Sequence, residues 1–190
     1  MNTSFQFTRT ELTGVYEITT FWAEDNRGAF YKSYNSDTYE SNEIVHNLKE
    51  VFFANSRKNV VRGMHFQMGR EQAKLVQCIK GKIWDVVVDL NPESPTYLKW
   101  KSFLLTEDNH KAVYIPKKCA HGYYVEEDCI VCYMCDECFY PPGDSGIKWN
   151  DPTLNITWPF EGEPILSEKD KKLMSFSEYE KLCNNGVKND

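Results

Sequence analysis

The sequence predicts an all-β chain: a sandwich, jelly roll or barrel carrying a few short helices. Three observations lead there. About eight segments rich in Val, Ile, Phe, Tyr and Trp follow one another at spacings of roughly a dozen residues. Glycines and the pairs Asn91-Pro92 and Ser94-Pro95 punctuate them. The regular alternation of strand and helix that builds a parallel α/β sheet is missing. A length of 190 residues, 41% hydrophobic and 14% aromatic, fits one domain spanning 1–190 and argues against disorder, because burial on that scale offsets the entropy of ordering.

Taken in order, strands are expected over 15–22 and 29–34, and a helix over 36–48. Strands follow over 50–56, 60–67, 74–79, 82–90, 112–115 and 129–135. The last element is a helix over 167–182, so that the chain is mainly helical from about 167. There Leu173, Met174, Phe176, Tyr179 and Leu182 share one apolar face, and Ser167 is placed to cap the start.

Charge narrows the partners. The 22 Lys and Arg against 28 Asp and Glu give −6 with no basic block, which excludes general nucleic-acid or anionic-membrane binding but not a small anionic ligand. No apolar run approaches the roughly 18 residues of a membrane span. Residues 1–12 lack a basic head and an apolar stretch, so a cytoplasmic chain with reduced thiols is expected.

Two local patterns raise metal chemistry. CIVCYMCDEC puts Cys129, Cys132, Cys135 and Cys138 at steps of three, as an iron–sulfur run would. Its flanks read as a strand, however, and side chains three apart on a strand point to opposite faces. Free thiols packed in the core are the expectation. A metal-binding jelly roll commonly begins its ligand set with two His separated by one residue, but His65 is followed two residues later by Gln67. With only His46, His65, His110 and His121 in the chain, a metal-free site without a cofactor is expected.

Six segments carry a stronger signal: DNRGAFYKSYN (25–35), VRGMHFQ (61–67), AKLVQCIKGKIWDVVVDL (73–90), IPKKCAHGYYV (115–125), GIKWNDP (146–152), and ITWP with LSEKD (156–159 and 166–170). Together, in order and nearly in spacing, they resemble the nucleotide-sugar 3,5-epimerase family of the dTDP-4-dehydrorhamnose 3,5-epimerase type. The likeness covers residues 5–170. It implies a jelly-roll, cupin-type double-stranded β-helix barrel, no metal, and a nucleotide-diphosphate sugar substrate. It also implies a homodimer in which the partner chain completes the site.

The chemistry accounts for the residue types. In a nucleotide-linked 4-keto-6-deoxy sugar the C4 carbonyl acidifies the protons on C3 and C5. Inversion needs a base, an acid on the opposite ring face and a group that stabilises the enolate between them. By resemblance His65 is the base, and Asp170 is the carboxylate that fixes its tautomer and steadies the imidazolium. Lys74 matches the lysine that meets the enolate oxygen, and Tyr133 the general acid. His121, Phe139, Asp144 and Lys169 match substrate contacts. Arg27 and Arg62 match the arginines that hold the diphosphate, whose oxygens fit guanidinium forks. The residue matching Arg27 reaches the partner's site in the family. The implied activity is inversion of C3 and C5, feeding surface polysaccharide biosynthesis.

The chain departs from the family pattern at Glu50, Phe52 and Lys32, which stand where Gln, Asn and Glu are usual. Tyr133-Met134-Cys135-Asp136 likewise replaces Tyr-Lys-Thr-Thr. Those changes leave the nucleotide open between dTDP and GDP and the sugar open between hexose and heptose. A C3-only epimerase and a sugar 3,4-ketoisomerase on the same scaffold remain alternatives. Outside the enzymes, so do a non-catalytic sugar-binding jelly roll and an iron–sulfur protein.

Overall fold

A computed structural model describes residues 4–186. Strands dominate it: β1 (Gln6–Arg9), β2 (Tyr16–Thr19), β3 (Phe21–Asp25), β4 (Gly28–Lys32), β5 (Glu50–Ser56), β6 (Val61–Gln67), β7 (Lys74–Asp89), β8 (Trp100–Thr106), β9 (Lys111–Ile115), β10 (Cys119–Cys135) and β11 (Asp144–Gly146). Two α-helices, α1 (Ser36–Glu40) and α2 (Phe176–Gly186), accompany them. No helix among the described residues is long and apolar enough to cross a membrane.

Two long strands organise the molecule by serving both of its layers. The first part of β7 pairs with β9, which pairs with β2 and through it β1, while the second part pairs with β8. β10 runs antiparallel to β7 throughout; its first part also pairs with β6 and its last part with β5. The strand pattern therefore folds over on itself as a jelly roll of the cupin type. Between the layers lies a core of Val76, Ile83, Val87, Phe103, Leu105, Val113, Ile115, Tyr123, Val125 and Val131. α1 and residues before β1 cover one outer face through Tyr39 and Ile44, and the C-terminal segment covers the other through Leu154 and Phe176. β3 and β4 form a separate two-stranded ribbon.

Several elements differ from the sequence expectation. The segment 15–22 is two strands, because the chain leaves the barrel at Thr20 to enter the ribbon. Segments 74–79 and 82–90 are one strand that bends at Gly81, whose φ is +77°. β1, β8 and the first half of β10 were not expected. The helix over 36–48 ends at Glu40: Glu43 turns left-handed at φ +66°, the Ile44 amide donates back to the Tyr39 carbonyl, and Ile44 and His46 are then buried beneath the barrel wall.

The expected C-terminal helix starts later than 167. Ser167 Oγ accepts from the Asp170 amide, but it caps only a short 3₁₀ turn, Asp170–Lys172. Met174 then bridges to Ile147, keeping the chain extended. α2 begins behind a capping box in which the Ser175 amide donates to Glu178 Oε2 and the Glu178 amide donates to Ser175 Oγ.

The cysteine run lies on β10. Cys129 and Cys135 enter the inner core and Cys132 the outer one, while Cys138 is exposed. The four thiols do not converge. Burial raises Cys129 and Cys132 to about 11 and Cys135 to about 12, well into the protonated range.

Candidate active site

The site is a cavity of about 180 Å³ in the barrel mouth, and its lining follows from strand alternation. Cross-strand partners share a face, so Glu50 and Phe52 of β5 stand beside Cys135 and Tyr133 of β10 on the inner side. Lys74 lies on the same face as Val76, and His121 on the same face as Tyr123. β6 alone breaks the rule. Its partners His65 and Arg62 are three residues apart, whereas the facing residues His121 and Tyr123 are two apart. That extra residue is a β-bulge, and it turns both Arg62 and His65 inward. Gly63 makes it possible: φ is +114°, and a Cβ there would sit 2.6 Å from Gly122 Cα.

His65 Nε2 lies 2.6 Å from Asp170 Oδ1. Burial would raise the Asp170 carboxyl, but the hydrogen bond and charge of His65, the Ser167 hydroxyl and Lys169 outweigh it and hold the group below the ordinary carboxylate range. Asp170 is therefore an acceptor, Nε2 carries the hydrogen, and Nδ1 is the nitrogen left with a lone pair. Among the described residues nothing bonds to Nδ1.

Lys74 is buried, and among the described residues no hydrogen bond or ion pair engages its ammonium. Desolvation lowers its pKa, with Cys135 and Asp144 opposing. Such a cation lacks a counter-charge until a ligand supplies one. Tyr133 is buried too, and desolvation pushes its hydroxyl well above the ordinary tyrosine value. Phe52 stacks on its ring at 4.6 Å and 11°.

Of the remaining expected residues, His121, Arg62, Phe139 and Asp144 line the same cavity. Arg62 Nε donates to Ser56 Oγ at 2.8 Å, fixing the guanidinium at the rim. Asp144 pairs with Lys169 at 2.5 Å, which brings Lys169 to the edge. The Phe139 amide donates to Glu50 Oε2 at 2.9 Å. Arg27 is not brought in: it sits at the tip of the β3–β4 ribbon, paired with Asp25 and largely exposed.

Sequence reasoning missed Asp85, whose Oδ2 lies 2.6 Å from His121 Nε2 and whose Oδ1 is buried without a partner. An acid inside the apolar run WDVVVDL was the available signal. Gln67 spends its side chain on the carbonyls of Arg70 and Cys138 and on the Tyr140 amide. Among the described residues no three of His, Cys, Asp and Glu are grouped as a metal site.

A carboxylate-bound imidazole and a buried phenol, turned into one cavity beside an unpaired ammonium, can move protons at two faces of a ligand while holding negative charge. On a jelly roll of this kind, that is the equipment of an epimerase, an enzyme of the isomerase class. The particular family comes from comparison. The family model for dTDP-4-dehydrorhamnose 3,5-epimerase matches residues 9–178, and the chain belongs to that family.

The chain is similar to the dTDP-4-dehydrorhamnose 3,5-epimerase of Methanothermobacter thermautotrophicus, at 38% identity over 88% of this chain and 92% of that one. To the Escherichia coli enzyme of the same name it is 39% identical, over 92% and 96%. Among solved structures it resembles the dTDP-6-deoxy-D-glucose-3,5-epimerase of Legionella pneumophila in complex with dTDP-4-keto-L-rhamnose, with TM-score 0.88 and 32% identity over 92% and 94% of the chains.

Proposed function

We propose that the chain inverts C3 and C5 of a dTDP-linked 4-keto-6-deoxy sugar through an enolate, without a metal or other cofactor, in surface polysaccharide biosynthesis. The observation that carries this reading is the shared cavity of His65, Lys74 and Tyr133, with Asp170 behind His65. Nδ1 of His65 takes the proton from C3, and Asp170 steadies the imidazolium. Lys74 meets the charge that develops on the C4 oxygen, where a preorganised cation in a dry site is worth most. Tyr133 returns a proton to the opposite face of the ring, and the same sequence at C5 completes the second inversion.

Arg62 and Lys169 hold the diphosphate, Phe139 stacks on the base, and His121 and Asp144 contact the sugar. Arg27 acts on the site of a second copy in a homodimer. The relatives' substrates support dTDP. One observation favours a second reading: Glu50 places a carboxylate in the cavity, and an acceptor-only group suits the N–H edge of guanine.

Incubation in D₂O with matched dTDP- and GDP-linked 4-keto-6-deoxy hexoses and heptoses tests both readings. Deuterium is expected at C3 and C5 of the dTDP-hexose, and His65→Ala should abolish uptake while keeping the fold. Uptake confined to GDP sugars would shift the nucleotide, and uptake at C3 alone would make this a C3 epimerase. Movement of the carbonyl would make it a ketoisomerase. Binding without any exchange would leave a sugar-binding barrel.

A further inference from the structure

Behind Tyr133 stands a row of hydroxyls that the epimerisation steps above do not use. Arg62 Nε donates to Ser56 Oγ at 2.8 Å, and Ser56 Oγ lies 3.4 Å from Tyr123 Oη. The hydroxyls of Tyr123 and Tyr133 are in hydrogen-bonding contact. Tyr123 is fully buried and Ser56 nearly so, so water does not compete for these groups.

The direction of the row is set at one end. A guanidinium has only donors, so Ser56 Oγ accepts from Arg62, and its own hydrogen is free to turn to Tyr123 Oη. Tyr123 Oη, accepting there, turns its hydrogen to Tyr133. Tyr133 Oη becomes an acceptor, and the hydrogen it carries is the one left for the cavity. The Phe52 ring stacked on Tyr133 keeps the phenol from swinging away from this partner.

We propose that Tyr123 is a positioning residue for the proton-returning step: it holds Tyr133 Oη as an acceptor, aims the Tyr133 proton at the sugar and stabilises the tyrosinate left behind. The inference rests on Tyr133 being the acid. In that step the Tyr133 O–H bond breaks, and the enolate electron pair forms the C–H bond at the sugar carbon. Negative charge passes to Tyr133 Oη, where the Tyr123 O–H meets it, and solvent restores the proton after product leaves. Burial and the nearby Asp85 both oppose a tyrosinate, so a donor at this position matters most when the charge appears.

The test compares Tyr123→Phe, which removes the hydroxyl and keeps the ring, with the parent on a dTDP-4-keto-6-deoxy hexose in D₂O. Inversion and deuterium wash-in with retained configuration are followed separately. Tyr123→Phe is expected to lower kcat for inversion about ten- to a hundredfold, the worth of one hydrogen bond to a charged acceptor. KM should stay within about twofold and wash-in with retention should persist, so the ratio of wash-in to inversion rises. Ser56→Ala should move the same ratio in the same direction, and it carries the expectation alone if Tyr123→Phe does not fold. An active parent whose variants keep its ratio, or lose both rates in step, overturns the inference while leaving the epimerase reading intact. A parent that neither exchanges nor inverts overturns both.

Discussion

Lys74 illustrates how a single residue can trade stability for chemistry. Its ammonium is taken out of water without a partner, which opposes folding, yet an unpaired cation is what an enolate oxygen requires. Lys74→Met should therefore leave the melting temperature unchanged or raise it by a few degrees, while inversion falls about 10²- to 10³-fold. Calorimetry and turnover on the same preparation check both. The pH dependence follows from the direction of the shift. The Lys74 pKa is lowered on folding, so activity should fall as pH rises through a value below the ordinary lysine range near 10.4. Over that window the unfolded chain binds more protons, so stability from this group rises. Asp170 has the opposite linkage. Its lowered pKa gives stability that is present above the unfolded carboxylate value and lost as pH falls through the folded one. His65, Lys74, Tyr133 and Asp170 were legible because each sits in a motif with its own local pattern. Asp85, Ser56 and Tyr123 were not, because their significance lies in what faces them across two strands.

At the scale of elements, register decides what sequence alone leaves open. Alternation placed Lys74 and His121 on the inner face, but no reading of VRGMHFQ announces that Arg62 and His65 share it; the bulge at Gly63 does that. The same limit applies to β7, where Gly81 was taken as a break between strands and is instead the bend within one. A Cβ at Gly81 would lie 2.1 Å from the Asp128 carbonyl oxygen, and φ is +77°. Gly81→Ala should cost about 1–3 kcal/mol or more, lowering the melting temperature by roughly 5–10 °C. The capping box of α2 gives a milder case. Ser175→Ala should cost about 0.5–2 kcal/mol and leave turnover unchanged, because α2 covers the outer face rather than the cavity. Thermal melts of the two variants, read beside activity, separate these roles.

Across the whole molecule, a net charge of −6 coexists with a cavity edged by Arg62, Lys74 and Lys169. A small anion is drawn to that local field even though a polyanion is not drawn to the surface. The fold class was readable from strand frequency, and the family from six spaced segments; what the dimer contributes was not, because no element of one chain carries Arg27 to its own cavity. Phe30 on the ribbon and Val51 and Phe53 on β5 are exposed apolar side chains suited to an interface. If Arg27 acts on a second copy, mixing inactive Arg27→Ala and His65→Ala proteins should restore about a quarter of parental activity, because each mixed dimer has one intact site. No recovery on exchange of subunits would place Arg27 outside the site. The central claim is proton transfer by His65 and Tyr133 on opposite faces of a 4-keto sugar. Its most direct test is the configuration at each deuterated carbon after turnover of dTDP-4-keto-6-deoxyglucose in D₂O. Inverted, singly deuterated C3 and C5, with Tyr133→Phe retaining wash-in but losing inversion, is the predicted result. Deuterium absent from both carbons, or inversion undiminished in Tyr133→Phe, would contradict it.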